Sequence, residues 1–308
     1  MIECVPNVSE GRDGTIIERI AKSIARTGCS VLDIHSDHDH HRSVFTTVGD
    51  NEQIADGAVA LVGSAVALID LRTHCGVHPR IGAVDVIPVV PLGATEMADC
   101  VAVAQHIGRT IADRWALPVY LYGMAARSAH RSSLSWIRRG GFEGLSKKLV
   151  ESEKRPDFGP QQPHPTAGAV AVGARHLLVA FNVVLDTAEV AIARGIASAI
   201  REANGGLPGV KALGLSLASR NLAQVSMNLT QVSRNLAQVS RNLADVTATT
   251  VPAAFQAVSR EARRVGVRVL ESEIVGLVPR MALDDATAAD LLMQDDPRDR
   301  ILETRIAA

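Results

Sequence analysis

The stretch SDHDHHR, residues 36 to 42, sets three histidines and two aspartates into seven positions, and His74 and His78 follow in HCGVHPRIGAVDVIP. Such a density of imidazoles and carboxylates first suggests metal binding, which needs three or four ligands converging at fixed spacing. Arg42 closes the stretch, however, and a permanent cation beside a divalent ion is unfavourable unless a substrate anion lies between them. The four cysteines, Cys4, Cys29, Cys75 and Cys100, stand far apart with no CxxC pair. They offer neither a four-thiolate zinc site nor a disulfide framework. No metal is expected. SDHDHHR is expected to position a substrate, with Arg42 meeting a carboxylate and the neighbouring histidines and aspartates, His41 among them, tuning the pocket.

His78 differs in kind. It lies in GVHPRIG, before a proline that keeps it extended and out of a helix, with Arg80 two residues on and Asp85 at the head of an apolar run. An imidazole that titrates near neutrality, a guanidinium suited to carboxylates, and an acid able to orient the ring make a proton-transfer set for an anionic substrate.

Period-2 and helical spacings show which elements must position these residues. MIECVPNVS alternates as a short strand, GTIIERIAKSIART places Ile16, Ile20 and Ile24 at helical spacing, and CSVLDIH and HRSVFTTVG are strand-like. NEQIADGAVALVGSAVALI reads as a helix and VDVIPVVPL as a buried strand; a helix over 95 to 114 and the strand LPVYLYG follow. The order then repeats: HLLVAFNVVL, the helix TAEVAIARGIASAIREA, VKALGLSLAS and LAQVSMNL joined at Arg220 and Asn221, the helix VPAAFQAVSREARRVG, and VRVLESEIVGLVP. Two passes of βαββαβ predict an α+β chain of two ferredoxin-like halves with antiparallel sheets. The expected division is 1–175, a ferredoxin-like unit with an extra helix and strand, and 176–308. PDFGPQQPHPTAGAVAVGAR, rich in Pro and Gly, is expected as a stiff connection roofing a ligand groove between the halves. Residues 220 to 247 run RNLAQVS, MNLTQVS, RNLAQVS, RNLADVT. Removing 231 to 244 leaves a smooth passage from strand to helix, so those residues read as a tandem duplication at a connection, where added length costs little.

Composition narrows the partners. Thirty-two Lys and Arg balance thirty-three Asp and Glu, and there are only two Trp, two Tyr and five Phe. Such a chain has no electrostatic footprint for a nucleic-acid backbone or an anionic membrane, and few platforms for stacking bases. No apolar run is long enough to cross a bilayer and the N-terminus lacks the order of a signal peptide, so a cytoplasmic protein is expected. The partners expected are small molecules, with homodimerisation left open.

ECVPNVSEGR, DHHRSVFTTVG, GVHPRIGAVDVIP, PVYLYG, PDFGPQQPHPTAGAVAVGAR, LVAFNV, LAQVSMNL and ESEIVGLVP, in this order, resemble the glutamate formimidoyltransferases, or formiminotransferases, from Ile2 to about Leu283. The resemblance implies transfer of a formimino group from N-formimino-L-glutamate to N5 of tetrahydrofolate, a co-substrate bound between two ferredoxin-like subdomains, in histidine degradation. It implies His78 as the catalytic acid and base. It implies folate contacts from Gly159, Pro160, Gln161, Gln162, Pro163, His164, Pro165, Thr166, Ala167 and Gly168. Arg42 and Arg80 are assigned to the two substrate carboxylates from their charge and position, with Asp85 and His41 in support. Met124 stands where the family commonly has an acid, and His41 where it commonly has asparagine. The helical deaminase fused to some members is not expected in a chain of this length. A metal-dependent hydrolase of formimino compounds and a non-catalytic folate-binding module are the rival readings.

Overall fold

The computed structural model describes residues 1–230 and 249–308. The duplication read at 231 to 244 lies outside the described residues. The chain divides into two compact units, Met1–Arg175 and His176–Ala308.

In the first unit the opening strand is broken. β1 (Ile2–Cys4) and β2 (Asn7–Val8) flank Pro6, which has no N–H to give a ladder, and both lie between the same two neighbours. α1 (Gly14–Ala25) is capped by Asp13 and buries Ile20 and Ile24, the residues that marked it in the sequence. β3 (Ser30–Asp37) and β4 (Arg42–Gly49) form a hairpin, and α2 (Asn51–Leu68) starts from a reciprocal cap between Asp50 and Gln53. After β5 (Val84–Pro91) come α3 (Met97–Trp115), β6 (Val119–Gly123), the short helices α4 (Leu134–Arg138) and α5 (Leu145–Lys148), and β7 (Val170–Ala174). The order β3, β4, β1 with β2, β5 is antiparallel throughout and is that of a ferredoxin-like βαββαβ.

β7 then pairs parallel with β5, and β6 parallel with β7. Two sequence expectations are corrected here. The sheet of this unit is mixed rather than antiparallel, and AVAVGA is a strand inside it rather than part of a connecting loop. A strand buried on both faces shows no alternation, and its Ala and Gly carry little β-propensity. Helices α1, α2 and α3 pack on one face around Phe45, Ile87 and Val172. On the other face, Ile137, Leu145 and Leu149 from α4, α5 and the residue after them cover Val86, Tyr120 and Tyr122.

The second unit repeats the plan with β8 (Leu178–Leu185), α6 (Val190–Ile200), β9 (Val210–Leu217), β10 (Leu222–Thr230), α7 (Val251–Arg264) and β11 (Val269–Val275). Its sheet order, β11, β8, β10, β9, is again ferredoxin-like and antiparallel. Alternate residues of β8 and β10, among them Phe181, Val183, Val225 and Met227, build the core with α6 and α7. The short helices α8 (Ala288–Leu291) and α9 (Leu302–Ala307) follow. Among the described residues no helix is long and apolar enough to cross a membrane.

Candidate active site

SDHDHHR is a hairpin turn. Asp37 pairs with Arg42 at the end of the β3–β4 ladder, so His38, Asp39, His40 and His41 form a four-residue loop. The Asp37 carboxylate accepts the His40 N–H at 2.6 Å, and His41 takes a left-handed backbone with φ of 49°. Two glycines let neighbouring segments close onto this turn. A Cβ on Gly11 would lie 2.2 Å from the Asp37 carbonyl, and one on Gly76 2.4 Å from the His40 carbonyl. Among the described residues no three His, Cys, Asp or Glu side chains stand where they could share a metal ion.

The residues that meet there lock one another. Glu10 accepts from the backbone N–H of Arg12 (2.7 Å) and Asp13 (3.0 Å) and contacts His41 Nε2 at 3.1 Å. Burial raises the Glu10 carboxyl, but these donors outweigh it and hold it below the usual carboxylate range. Arg12 donates to the carbonyls of His38 and Cys75, joining the turn to the HCGVHPR segment. The ring of His41 stacks on His74 with centroids 4.2 Å apart. His74 Nε2 donates to the His41 carbonyl at 2.9 Å while its Nδ1 accepts from Arg80 Nε at 3.0 Å. Those partners fix a neutral ring, in keeping with a pKa lowered chiefly by burial.

His78 is held the same way. Nδ1 lies 2.8 Å from the Pro79 carbonyl, which only accepts, and Nε2 faces the Arg42 guanidinium, which only donates. The ring is therefore the neutral Nδ1–H tautomer with a lone pair at Nε2. Its pKa is well below the ordinary value because of burial, then Arg42, Arg138 and the nearby His40, whose ring centroid lies 5.8 Å away. Arg42 in turn donates to the Asn7 Oδ1, and its own Nε is buried without an acceptor. Burial and Arg138 lower Arg42 to about 9, which leaves it charged at neutral pH.

Three of the residues assigned from the sequence have partners that the sequence did not show. Asp85, 2% exposed, does not touch His78: one carboxylate oxygen accepts from Ile81 N at 2.8 Å and the other from Arg138, with Nε at 2.8 Å and Nη2 closer still. Its role is to tie the His78 loop to α4 and to balance Arg138. Arg80 is already engaged, donating to both Glu143 oxygens (2.8 and 3.2 Å) and to His74. His41 faces Glu10 and Cys75 and meets Arg80 only through His74. Arg138 went unread. The sequence around it, SWIRRGG, has neither periodicity nor a motif, and only the fold of α4 over the sheet brings it to Asp85.

The GPQQPHPTAG loop reaches the same neighbourhood. Gly159 to Gln162 are exposed, while the far end is closed by paired hydrogen bonds between His164 and Gly168 (2.9 and 3.0 Å). His164 Nδ1 also accepts from Ala167 N at 3.1 Å, and burial lowers its pKa. Ala169 N donates to the Ile81 carbonyl and Ala83 N to the Ala167 carbonyl, each at 3.0 Å, so this loop and the HPRIG loop share one ladder. Met124, just past β6, is exposed.

A neutral imidazole beside two half-buried guanidiniums and stitched to a rigid Gly- and Pro-rich loop suits proton transfer on an anionic substrate. The profile of the Formiminotransferase domain, N-terminal subdomain, matches residues 1–175, and that of the Formiminotransferase domain matches 232–306. A protein named glutamate formimidoyltransferase from Streptococcus pyogenes serotype M1 is 40% identical over 310 residues, covering 99% of this chain and 98% of that protein. One of the same name from Thermoplasma acidophilum is 41% identical over 309 residues, covering 99% of this chain and 97% of its own length. The formimidoyltransferase-cyclodeaminase of Sus scrofa is 40% identical over 320 residues, covering 99% of this chain but 56% of that protein. With profile matches at both ends of the chain and full-length relatives at this identity, the chain belongs to the formiminotransferase family.

Proposed function

We propose that this chain moves the formimino group of N-formimino-L-glutamate to N5 of tetrahydrofolate, giving 5-formimino-tetrahydrofolate and L-glutamate. The observation that carries the reading is identity of about 40%, over nearly the whole of both chains, to proteins named for this transfer. The geometry supports it. N5 attacks the formimino carbon, and the tetrahedral adduct must lose the proton of N5 and protonate the departing glutamate nitrogen. His78 carries that proton, taking it at Nε2 and returning it to the leaving nitrogen. Its low basicity makes the imidazolium short-lived and strongly acidic, which favours the second half of the exchange.

Arg42 receives a substrate carboxylate through its unpartnered Nε, and Arg138 adds a second positive charge beside it. The carboxylates of the substrate would offset both cations and so raise the basicity of His78 when it takes the proton. Gly159 to Gly168 supply folate contacts, the exposed Gln161 and Gln162 above all. No step needs a metal. The test is formation of 5-formimino-tetrahydrofolate by purified protein with and without a chelator. Equal rates support this reading. A rate abolished by chelator and restored by one metal, or release of the formimino group to water instead of folate, would favour a metal-dependent hydrolase.

A further inference from the structure

Lys148 is the last residue of α5, and only 5% of it is exposed. Its ammonium donates to the carbonyl of Trp136 at 3.4 Å and to that of Ile137 more closely, both in the last turn of α4. The same ammonium lies 5.5 Å from the centre of the Tyr120 ring and 5.3 Å from that of Trp136. Burying an ammonium is costly, and an apolar side chain of similar length would fill that place without the cost. The charge is therefore kept for what it does at the end of α4, where a lysine can meet the last carbonyls of a helix.

α4 needs such a clamp. It has five residues, too few to hold a helix alone, and it runs into Gly140 and Gly141, whose φ values of 89° and 62° mark a turn with no side chain to anchor it. The residue after Ile137 is Arg138, which donates to one Asp85 oxygen through Nε at 2.8 Å and through Nη2 more closely. The other Asp85 oxygen accepts from Ile81 N at 2.8 Å. Contacts thus run from Lys148 through the end of α4, Arg138 and Asp85 to the loop that carries His78. The charged groups facing Lys148 are Arg131 ahead of α4, Arg139 after it, and Glu151 and Lys154 beyond α5, which pair with each other at 2.6 Å. Burial first, then these cations against Glu151, lower the Lys148 pKa to about 8, which leaves it charged at neutral pH.

Resting on the function proposed above, we propose that Lys148 is a positioning residue for the transfer: by holding the carboxyl end of α4 it keeps the Arg138 guanidinium on Asp85 and beside His78. The consequence is readable at the imidazole. His78 is faced by Arg42, Arg138 and His40, and by the Pro79 carbonyl. The two guanidiniums and His40 disfavour the imidazolium, so a chain that lets Arg138 go has a more basic His78. On acidification such a chain loses activity at a higher pH than wild type, because a protonated His78 cannot take the proton of N5.

The test is kcat/KM for formiminoglutamate against pH, which reports ionisations of the free enzyme, in the full-length wild type, Lys148→Met, Arg138→Gln and the double variant. Lys148→Met is expected to lower kcat about tenfold, as a small misplacement near the reacting atoms does, and to move the acid limb up by about half a pH unit or more. Arg138→Gln should move it the same way, and the double variant no further than Arg138→Gln alone, since both changes act through one guanidinium. Lys148→Arg, which keeps the cation and its donors, should leave the limb where it is. If Lys148→Met fails to fold, Lys148→Gln takes its place, with the same direction of shift. A folded Lys148→Met or Lys148→Gln whose acid limb stays at the wild-type pH, no limb in either enzyme, or shifts that add in the double variant would overturn the inference and leave the transferase reading standing. A wild type that forms no 5-formimino-tetrahydrofolate would remove that reading instead. The placement of Arg138 is then decided without substrate, by nitrogen-15 NMR titration of His78 in the same variants, its signal identified by its loss in His78→Ala: a midpoint raised in Lys148→Met supports the clamp, and an unchanged one refutes it.

Discussion

The two ring nitrogens of His78 have opposite jobs. Nδ1 is pinned to a backbone carbonyl, which fixes the tautomer, and Nε2 faces Arg42, so whatever draws Arg42 away exposes the basic lone pair. Arg42 and Arg80, paired in the sequence reading, are unequal in the fold. Arg42 has a buried N–H without an acceptor; Arg80 has its fork filled by the exposed Glu143 and by His74. Arg42→Gln is therefore expected to raise the KM for formiminoglutamate about tenfold or more, as befits a lost charge-assisted bond, with a smaller change for folate. Arg80→Gln should change it less than about threefold, since exposed pairs contribute little. Steady-state kinetics with each substrate varied would show the split, and equal effects of the two substitutions would contradict it. That His78 and Arg42 would stand in ordered backbone was legible in the sequence, because a proline follows one and a strand begins at the other. Arg138 was not, since 53 residues separate it from Asp85 and only tertiary packing joins them.

At the scale of elements, β1 carries an ionisable group into the sheet interior. Glu3 is buried and its pKa is raised to about 7, by burial first, with Arg175 opposing. A carboxyl raised from 4.5 binds more protons in the folded than in the unfolded chain between those values, so its effect on stability worsens as pH rises from about 4.5 to 7 and then levels off. His74, His78 and His164 act in the other direction. Their folded pKa values lie below 6.5, so the unfolded chain binds more protons beneath that pH and stability is lost as pH falls through it. Glu3→Gln should accordingly be more stable than wild type at pH 8, by on the order of 2–3 kcal/mol, and lose that advantage near pH 4.5. Urea melts at the two pH values measure it; an advantage that does not shrink in acid would refute the assignment to Glu3. The strands and helices around these groups were legible from spacing because each has one buried face. The extension was not: β7 has two buried faces and a small-residue sequence, and parallel pairing leaves no hairpin turn to announce it.

The whole molecule is one plan used twice. Both units order their strands alike, and the hairpin turn that carries His41 at φ of 49° in the first is matched in the second by one carrying Asn221 at φ of 53°. The repeat was legible because the order of strand and helix recurs along the chain, whereas the difference in use was not. The first unit gathers His78, Arg42 and Arg138; the second gathers buried amides around a carboxylate. In the transfer proposed, the chemistry rests on the first set, and above all on a single imidazole. The most direct measurement is the rate of 5-formimino-tetrahydrofolate formation from formiminoglutamate and tetrahydrofolate by the wild type and by His78→Ala, with circular dichroism confirming that the variant is folded. A fall of about 100-fold or more is expected, the range for loss of one placed acid–base group. A folded His78→Ala that works within a few-fold of wild type would contradict the proton-transfer role given to His78.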